Sequence, residues 1–282
     1  MHLNPASGAA TFELQNQKYM KPKTIITFVA LAALVLITVS FVNKSCASPK
    51  QPEVVAGNGI AVLELFTSEG CSSCPAADAL LAHVQEAAGD KPVYYLAYHV
   101  DYWDRLGWKD IFSSRRNSER QYQYSSYLNA QVYTPQLVIN GQTECIGSDA
   151  VAVKQAIHEA LNQTSGLAVT LQGRQQGQLM HVNYAVTGNA GADRLLVAVV
   201  QKQAISQVKR GENGGRTLKH AQIVQQFYDF KIARNNQGTV EVPVPAAFNA
   251  QEWEVIGWLQ QPQTGAIHAA TRVVLNNTVA LY

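Results

Sequence analysis

The sequence predicts an α/β domain over residues 60–164, then a smaller mainly-β, sandwich-like domain over 165–282, with a hydrophobic export or anchor helix ahead of both. Three observations predict this. Residues 60–100 run strand, helix, strand within about forty residues, the length of a βαβ unit. After residue 165, short apolar runs alternate with glycine-rich turns such as GNAGAD, the grammar of an antiparallel sandwich. Residues 24–42, TIITFVALAALVLITVSFV, contain no charge.

That uncharged run is long enough to span a bilayer, which needs about 20 apolar residues. Lys18, Lys21 and Lys23 precede it, so residues 1–23 are expected to stay cytoplasmic and the remainder to be exported. SCAS, with Ser45 and Ala47, offers a cleavage site, so the segment is a retained anchor or a signal peptide. Anchored, the protein belongs on the periplasmic side of the inner membrane; cleaved, it is periplasmic or secreted. A hydrophobic content of 47% excludes a disordered chain. A formal net charge of +2 with no clustered basic face gives no footprint for nucleic acid.

Residues 43–59 end in SPKQPEVVAGNG and read as a linker. IAVLELFTS is a strand. CPAADALLAHVQEAAGD places Ala77, Leu80, Leu81 and Val84 at helical spacing and stops near Gly89. PVYYLAYHV is a second strand. An aromatic-rich segment follows, with a helix over 114–128. TPQLVINGQTECIGS reads as two short strands around an Asn140-Gly141 turn. Ser148 or Asp149 caps a last helix, AVAVKQAIHEALNQ. Beyond 165 the predicted strands are LAVTLQG, LMHVNYAVTG, RLLVAVVQKQ, TVEVPVP, EWEVIGWLQ and AIHAATRVVL.

Cys71 and Cys74 sit where the first strand runs into the first helix. Cross-linking cysteines three positions apart closes a tiny loop and restricts the unfolded chain little, so stability is a thin reason for the pair. The first turn of a helix presents unpaired N–H groups and a positive dipole end, which stabilise a thiolate. Cys71 is therefore the expected exposed nucleophile, and Cys74 the thiol that resolves a mixed disulfide. Pro75 suits the opening turn, where a missing N–H costs little. No second C-x-x-C or H-x-x-H follows with zinc spacing.

YTPQLVING places Thr134-Pro135 directly before a hairpin strand, where a thioredoxin fold carries its cis-proline loop. The order of elements over 60–163 resembles a thioredoxin-like fold with a helical insertion after its second strand. ELFTSEGCSSCPAAD, YHVDYWDRLGW and GENGGRTLKH together resemble a family of exported bacterial thioredoxin-like proteins of unknown function. The resemblance implies that Pro135 and Thr134 shape a substrate groove beside the cysteines. Thioredoxin carries Trp-Cys-Gly-Pro-Cys, whereas here Gly70 precedes Cys71 and Ser72-Ser73 intervene, which leaves the redox direction open. Thioredoxin's buried aspartate has its nearest counterpart in Glu64, a candidate proton carrier for Cys74 or else a strand-edge carboxylate facing water.

HVDYWDRLGWKD gathers His99, Asp101, Asp104 and Asp110 with Trp103 and Trp108. The tryptophans are candidates for the groove wall; His99 with Cys71 and Cys74 would suit Cu(I). KRGENGGRTLKH, residues 209–220, lacks the spacing of a nucleotide-binding loop and reads as a solvated connection. Cys145 reads as a buried bystander. The expected function is thiol–disulfide exchange in the cell envelope, acting on protein thiols or a redox partner protein, with no cofactor. Copper handling and a non-enzymatic binding module are the alternatives. Membrane attachment would run through residues 24–42. If that segment is retained, the full-length protein will stay with membranes through carbonate extraction; a soluble form beginning at Ser48 would instead mark cleavage.

Overall fold

The computed structural model describes residues 59–276. The expected helix over 24–42 lies outside them, and among the described residues no helix is long and apolar enough to cross a membrane. The architecture is mixed α/β, with two sheets and few helices. In chain order the elements are β1 (Ala61–Thr67), α1 (Cys74–Ala88), β2 (Val93–His99), α2 (Arg115–Leu128), β3 (Gln136–Ile139), β4 (Thr143–Ile146), α3 (Ala150–Leu161), β5 (Ala168–Gln176), β6 (Leu179–Thr187), β7 (Arg194–Gln207), β8 (Thr217–Lys231), β9 (Gln237–Pro243), β10 (Trp253–Gln260), β11 (Ile267–Arg272) and β12 (Val274–Leu275).

The eight-stranded sheet has the order β11-β10-β7-β8-β2-β1-β3-β4. β1 runs parallel to β2 and antiparallel to β3, and β3 pairs antiparallel with β4. A four-stranded sheet, β12-β5-β6-β9, forms a second layer. Local chemistry fixes the ends of these elements. Ser114 caps α2 by accepting from the Asn117 N–H, and Asp149 caps α3 by accepting from Val151 and Ala152. Asn140 and Gly141 both take positive φ, 48° and 63°, at the β3–β4 turn. The Asn140 side chain accepts from Val62 N (2.7 Å) and donates to Ile60 O (2.8 Å), which locks the turn onto β1.

Side chains alternate across a strand, and the large sheet uses both faces. On one, Val62, Phe66, Leu96, Tyr98, Leu196 and Trp258 form a core with Tyr124 of α2. On the other, Leu63, Leu65, Tyr95 and Leu137 pack against Ala77 and Leu81 of α1 and Val153 of α3. Farther along that second face, Leu195, Val197 and Val255 meet Leu171, Val182 and Val242 of the small sheet. The sandwich-like layering expected after 165 is thus present, and one of its layers is a continuation of the first sheet. Strands from both sides of residue 165 share that sheet, and all described residues belong to one compact unit.

The joining strand is β8, which the sequence pattern missed. TLKHAQIVQQFYDFK mixes polar and apolar residues, carries Gln222 at φ 55°, and shifts register against β7 between Val199 and Val200. Its buried positions, among them Leu218, His220, Ile223 and Val224, face the interior. β8 meets β2 in parallel at Ala97 and Ile223. Residues 217–220, expected in a solvated connection, begin this strand.

Glu64 shares the face of Val62 and Phe66 and lies under α2. Its carboxylate accepts from Arg120 Nε (2.6 Å) and from the Tyr124 hydroxyl. The Arg120 guanidinium stands within 5.5 Å of the ring centres of Tyr98, Tyr124, Phe227 and Trp258. Glu64 is fully buried and Arg120 is 4% exposed. Removing one partner of such a pair leaves an uncompensated charge, which costs about 3–5 kcal/mol. Arg120→Met should lose about that much stability in urea titrations. Glu64→Gln added to Arg120→Met should recover part of the loss.

Candidate functional site

Cys71 and Cys74 are joined in a disulfide where β1 leads into α1, with their Cα atoms 5.4 Å apart. Cys74 is the first residue of α1 and Pro75 follows in its opening turn. That turn carries no acidic residue and no side-chain cap; the Cys74 N–H donates to the Cys71 carbonyl (3.2 Å) and Pro75 has no N–H, so the positive dipole end of α1 is what acts on sulfur. Gly70 lets the Trp103 segment approach closely, since a Cβ would come within 3.2 Å of the Trp103 Cβ. Cys71 is not the exposed group that was expected. It is 1% exposed and Cys74 is 0%, while Ser72 and Ser73 face solvent. The burial follows from two segments packed against the cysteine loop, residues 101–114 and the tip of the β7–β8 hairpin.

Both segments converge on Glu69. Its N–H donates to Asp110 Oδ2 (2.9 Å), and its carbonyl accepts from Asn213 Nδ2 (2.9 Å). Its carboxylate accepts from Trp108 Nε1 (2.6 Å) and from the Ser206 hydroxyl, and lies 3.2 Å from His220 Nε2. Burial pushes Glu69 up, yet the bonds from His220, Ser206 and Trp108 outweigh it and hold the carboxyl below its ordinary value.

Behind Glu69 stand four more buried titratable side chains: Asp78, His99, Asp110 and His220. His99 Nδ1 lies 2.6 Å from Asp110 Oδ2. The His99 and His220 rings are 4.9 Å apart, with Phe112 packed edgewise on both. Asp78 Oδ2 accepts from Thr67 Oγ1 (3.3 Å) and lies 4.0 Å from His220 Nδ1. Among the described residues, His99 Nε2 and His220 Nδ1 have no hydrogen-bond partner. For Asp110, burial acts upward but the charge and hydrogen bond of His99 prevail, and its pKa is lowered. For His99, burial acts downward but Asp110 prevails, and its pKa is raised. For Asp78, burial dominates and raises the pKa despite the two histidines.

Asp78 is one helical turn beyond Cys74, and side chains at i and i+4 share a helix face. Both are on the buried face of α1. The structure therefore offers Cys74 a carboxyl other than Glu64. Glu64 is on the face covered by α2, whereas α1 packs on the opposite face, so Glu64 is not a proton carrier for Cys74 and is not a strand-edge carboxylate in water either.

Trp103 and Thr134 are brought together, Trp103 Nε1 donating to Thr134 Oγ1 (2.9 Å). The Thr134–Pro135 peptide is cis, and Pro135 is buried. Trp108 is committed to Glu69, not to a groove wall. His99 is held by Asp110, and the thiols it would join in the alternative copper reading are bonded to each other. No group of three His, Cys, Asp or Glu side chains among the described residues is placed to hold a metal ion. Cys145 is half-buried, and burial with Glu144 and Asp149 nearby pushes its thiol up to about 11.

Several of these residues escaped the sequence reading. Asp78 carried a signal, an acid on the apolar stripe of an amphipathic helix. Ser206 carried none, and Glu212, Asn213 and His220, although inside the GENGGRTLKH motif, carried no role, because their roles depend on β8 bringing the hairpin across. A cavity of about 240 Å³ lies elsewhere, lined by Arg116, Arg120, Tyr124, Arg194 and Phe227 among others.

A search of curated proteins found no match. Among solved structures, a protein of Agrobacterium tumefaciens determined by X-ray crystallography as a structural-genomics target is 29% identical, with a TM-score of 0.61 over 78% of this chain and 96% of that one. A domain of the outer membrane lipoprotein Omp28 from Porphyromonas gingivalis is 12% identical over 39% of this chain and 88% of that one, and its TM-score of 0.24 carries no argument. The model of a family described as "Protein of unknown function (DUF1223)" matches residues 62–260, which include the cysteine pair, residues 101–114 and the β7–β8 hairpin. The chain belongs to that family.

Proposed function

We propose that this protein is a thiol–disulfide oxidoreductase of the cell envelope, built on a thioredoxin-like fold with a helical insertion, and that Cys71 and Cys74 carry the exchange. The observation that carries the reading is the Cys71–Cys74 disulfide at the uncapped first turn of α1, backed by the buried Asp78. The order β1-α1-β2-α2-β3-β4-α3, with β2, β1, β3 and β4 adjacent in the sheet, supports the scaffold. The uncharged run of residues 24–42 supports export to the oxidising compartment in which such a pair works.

In the reducing direction for the pair, a partner thiolate attacks Cys71 Sγ. The Cys71–Cys74 bond breaks, its electron pair moves to Cys74 Sγ, and Cys74 takes a proton from Asp78, whose burial favours the neutral acid. A second partner thiolate then attacks the partner sulfur of the mixed disulfide. Cys71 leaves as a thiolate stabilised by the positive dipole end of α1. The partner ends as a disulfide, its two thiol protons passing to solvent and to Asp78. The reverse sequence reduces a partner disulfide and restores the Cys71–Cys74 bond.

One observation favours the binding-module reading instead, namely the burial of Cys71. Pulsed alkylation separates the two. In the reduced protein at pH 8, Cys71 should label first and Cys74 slowly. Cys145, with a pKa of about 11, should label slowly too, since only about 0.1% of it is thiolate at that pH. Cys74→Ser should trap a mixed disulfide with the partner, and Cys71→Ser should abolish exchange. Equal, slow labelling of Cys71 and Cys74 would leave the binding module standing.

A second test concerns Asp78. Its raised folded pKa means that its stabilising contribution is full below the unfolded value of 3.8 and is lost as pH rises through the folded pKa. Asp78→Asn removes this loss. The stability of the variant relative to wild type should therefore rise as pH increases from the unfolded value of 3.8 through the folded pKa in denaturant titrations. Exchange by the variant should slow by about 100-fold, the low end of what a positioned acid contributes. A flat stability difference would mean that Asp78 does not titrate in this range.

A further inference from the structure

The tip of the β7–β8 hairpin, residues 208–216, is folded onto the cysteine loop. Backbone bonds make the tip a defined unit: Val208 N to Arg216 O (3.0 Å), Gly215 N to Val208 O (2.8 Å) and Gly214 N to Gly211 O (3.0 Å). Gly211 and Gly215 take φ of 78° and 82°, where side chains are strained. A Cβ on Gly211 would also sit 3.3 Å from the Trp108 Cβ, so the tip rests directly on the 101–114 segment.

Two residues of the tip hold the cysteine loop. Asn213 is fully buried; its Nδ2 donates to the carbonyls of both Glu69 and Cys71 (2.9 Å each). Arg216 Nη1 donates to Asn213 Oδ1 (2.7 Å) and fixes that amide. Glu212 is exposed, and its Oε2 accepts from Ser72 N (3.0 Å), the N–H immediately after Cys71. The grip on Ser72 holds the Glu212 carboxyl below its ordinary value. A second negative charge thus sits on the N–H that follows Cys71, beside the place where a Cys71 thiolate would form. The other charged groups nearby are Glu69, which His220 engages, Asp110, which His99 engages, and Lys209, Arg210 and Arg216 of the tip itself.

We propose that this hairpin tip is a redox-sensitive gate: Glu212 and Asn213 close it over Cys71 in the disulfide state, and reduction opens it. Rupture of the sulfur–sulfur bond by a dithiol reductant oxidises that dithiol to its disulfide. It leaves Cys74 as a thiol and Cys71 as a thiolate, with one proton released. The Cys71 thiolate and the Glu212 carboxylate then repel at a separation shorter than the screening length of physiological salt, about 8 Å. Glu212 lets go of Ser72, the hairpin tip lifts, and Cys71 meets its partner. The gate rests on the exchange reading above only in requiring that the pair be reducible. It makes Glu212 and Asn213 positioning residues, which act on Cys71 through the loop and decide which thiols reach it.

Limited trypsin digestion of the full-length protein reads the gate directly, because Lys209, Arg210 and Arg216 are exposed cleavage points on it. When opening is fast, cleavage tracks the population of the open form. Protein reduced with dithiothreitol at pH 8 should be cut at these residues about 5- to 10-fold faster than the disulfide form. Glu212→Gln keeps an acceptor for Ser72 but removes the charge, so both of its redox forms should be cut at the slow rate. Cys71→Ser, with neither the bond nor the thiolate, should also stay slow. Equal rates for oxidised and reduced protein would overturn the gate, and so would a Cys71→Ser protein cut as fast as the reduced one, since loss of the cross-link would then suffice. Chemical reduction needs no partner protein. Redox-dependent cleavage without exchange activity would keep the gate and discard the oxidoreductase, and exchange without redox-dependent cleavage would do the reverse.

Discussion

Glu69 carries a buried negative charge two residues before Cys71, and a buried charge is tolerated only when donors surround it. Those donors come from three separate parts of the chain: Trp108 from the segment after β2, Ser206 from β7 and His220 from β8. The backbone on either side is held as well, by Asp110 and by Asn213. The conformation of the cysteine loop is therefore set from outside its own strand and helix. The C-terminal strands contribute to it as directly as α1 does.

A second buried charge organises the opposite face of the sheet. The Glu64–Arg120 pair, roofed by four aromatic rings, joins β1 to α2 and, through Gln260, to β10. Arg120 binds its partner firmly enough to stay charged in an apolar setting; burial opposes the charge, and Glu64 reverses that opposition. The large sheet thus has an ionic anchor on each face, structural beneath α2 and linked to the cysteines beneath the hairpin.

Much of this was legible in the sequence. Periodicity placed α1, α2, α3 and most strands, and Ser114, Asp149 and the Asn140-Gly141 turn marked boundaries because their chemistry is local. The cysteine pair was legible for the same reason. What failed was long-range. β8 alternates polar and apolar residues so weakly, with Gln222 at positive φ and a register shift against β7 at Val199–Val200, that its first residues passed for loop. Without β8 the two halves looked separable, and His220, Asn213 and Glu212 had no reason to meet Cys71. Glu64 was misplaced by one bit of information, the face of β1 that α1 covers. Strand parity groups Glu64 with Val62 and Phe66, but parity alone does not say on which side the helix lies.

The reach of these contacts has a consequence for biogenesis. Ser206 and Asn213 lie 137 and 144 residues beyond the Glu69 atoms they bind. A ribosome adds residues at about 5–20 per second, so the cysteine loop waits several seconds or more for the groups that neutralise its carboxylate. During that interval Glu69 has no reason to be buried, and the strand edge of β2 that β8 later covers is open. Native burial of Cys71 therefore waits for β7 and β8, whose hairpin tip closes over its loop last.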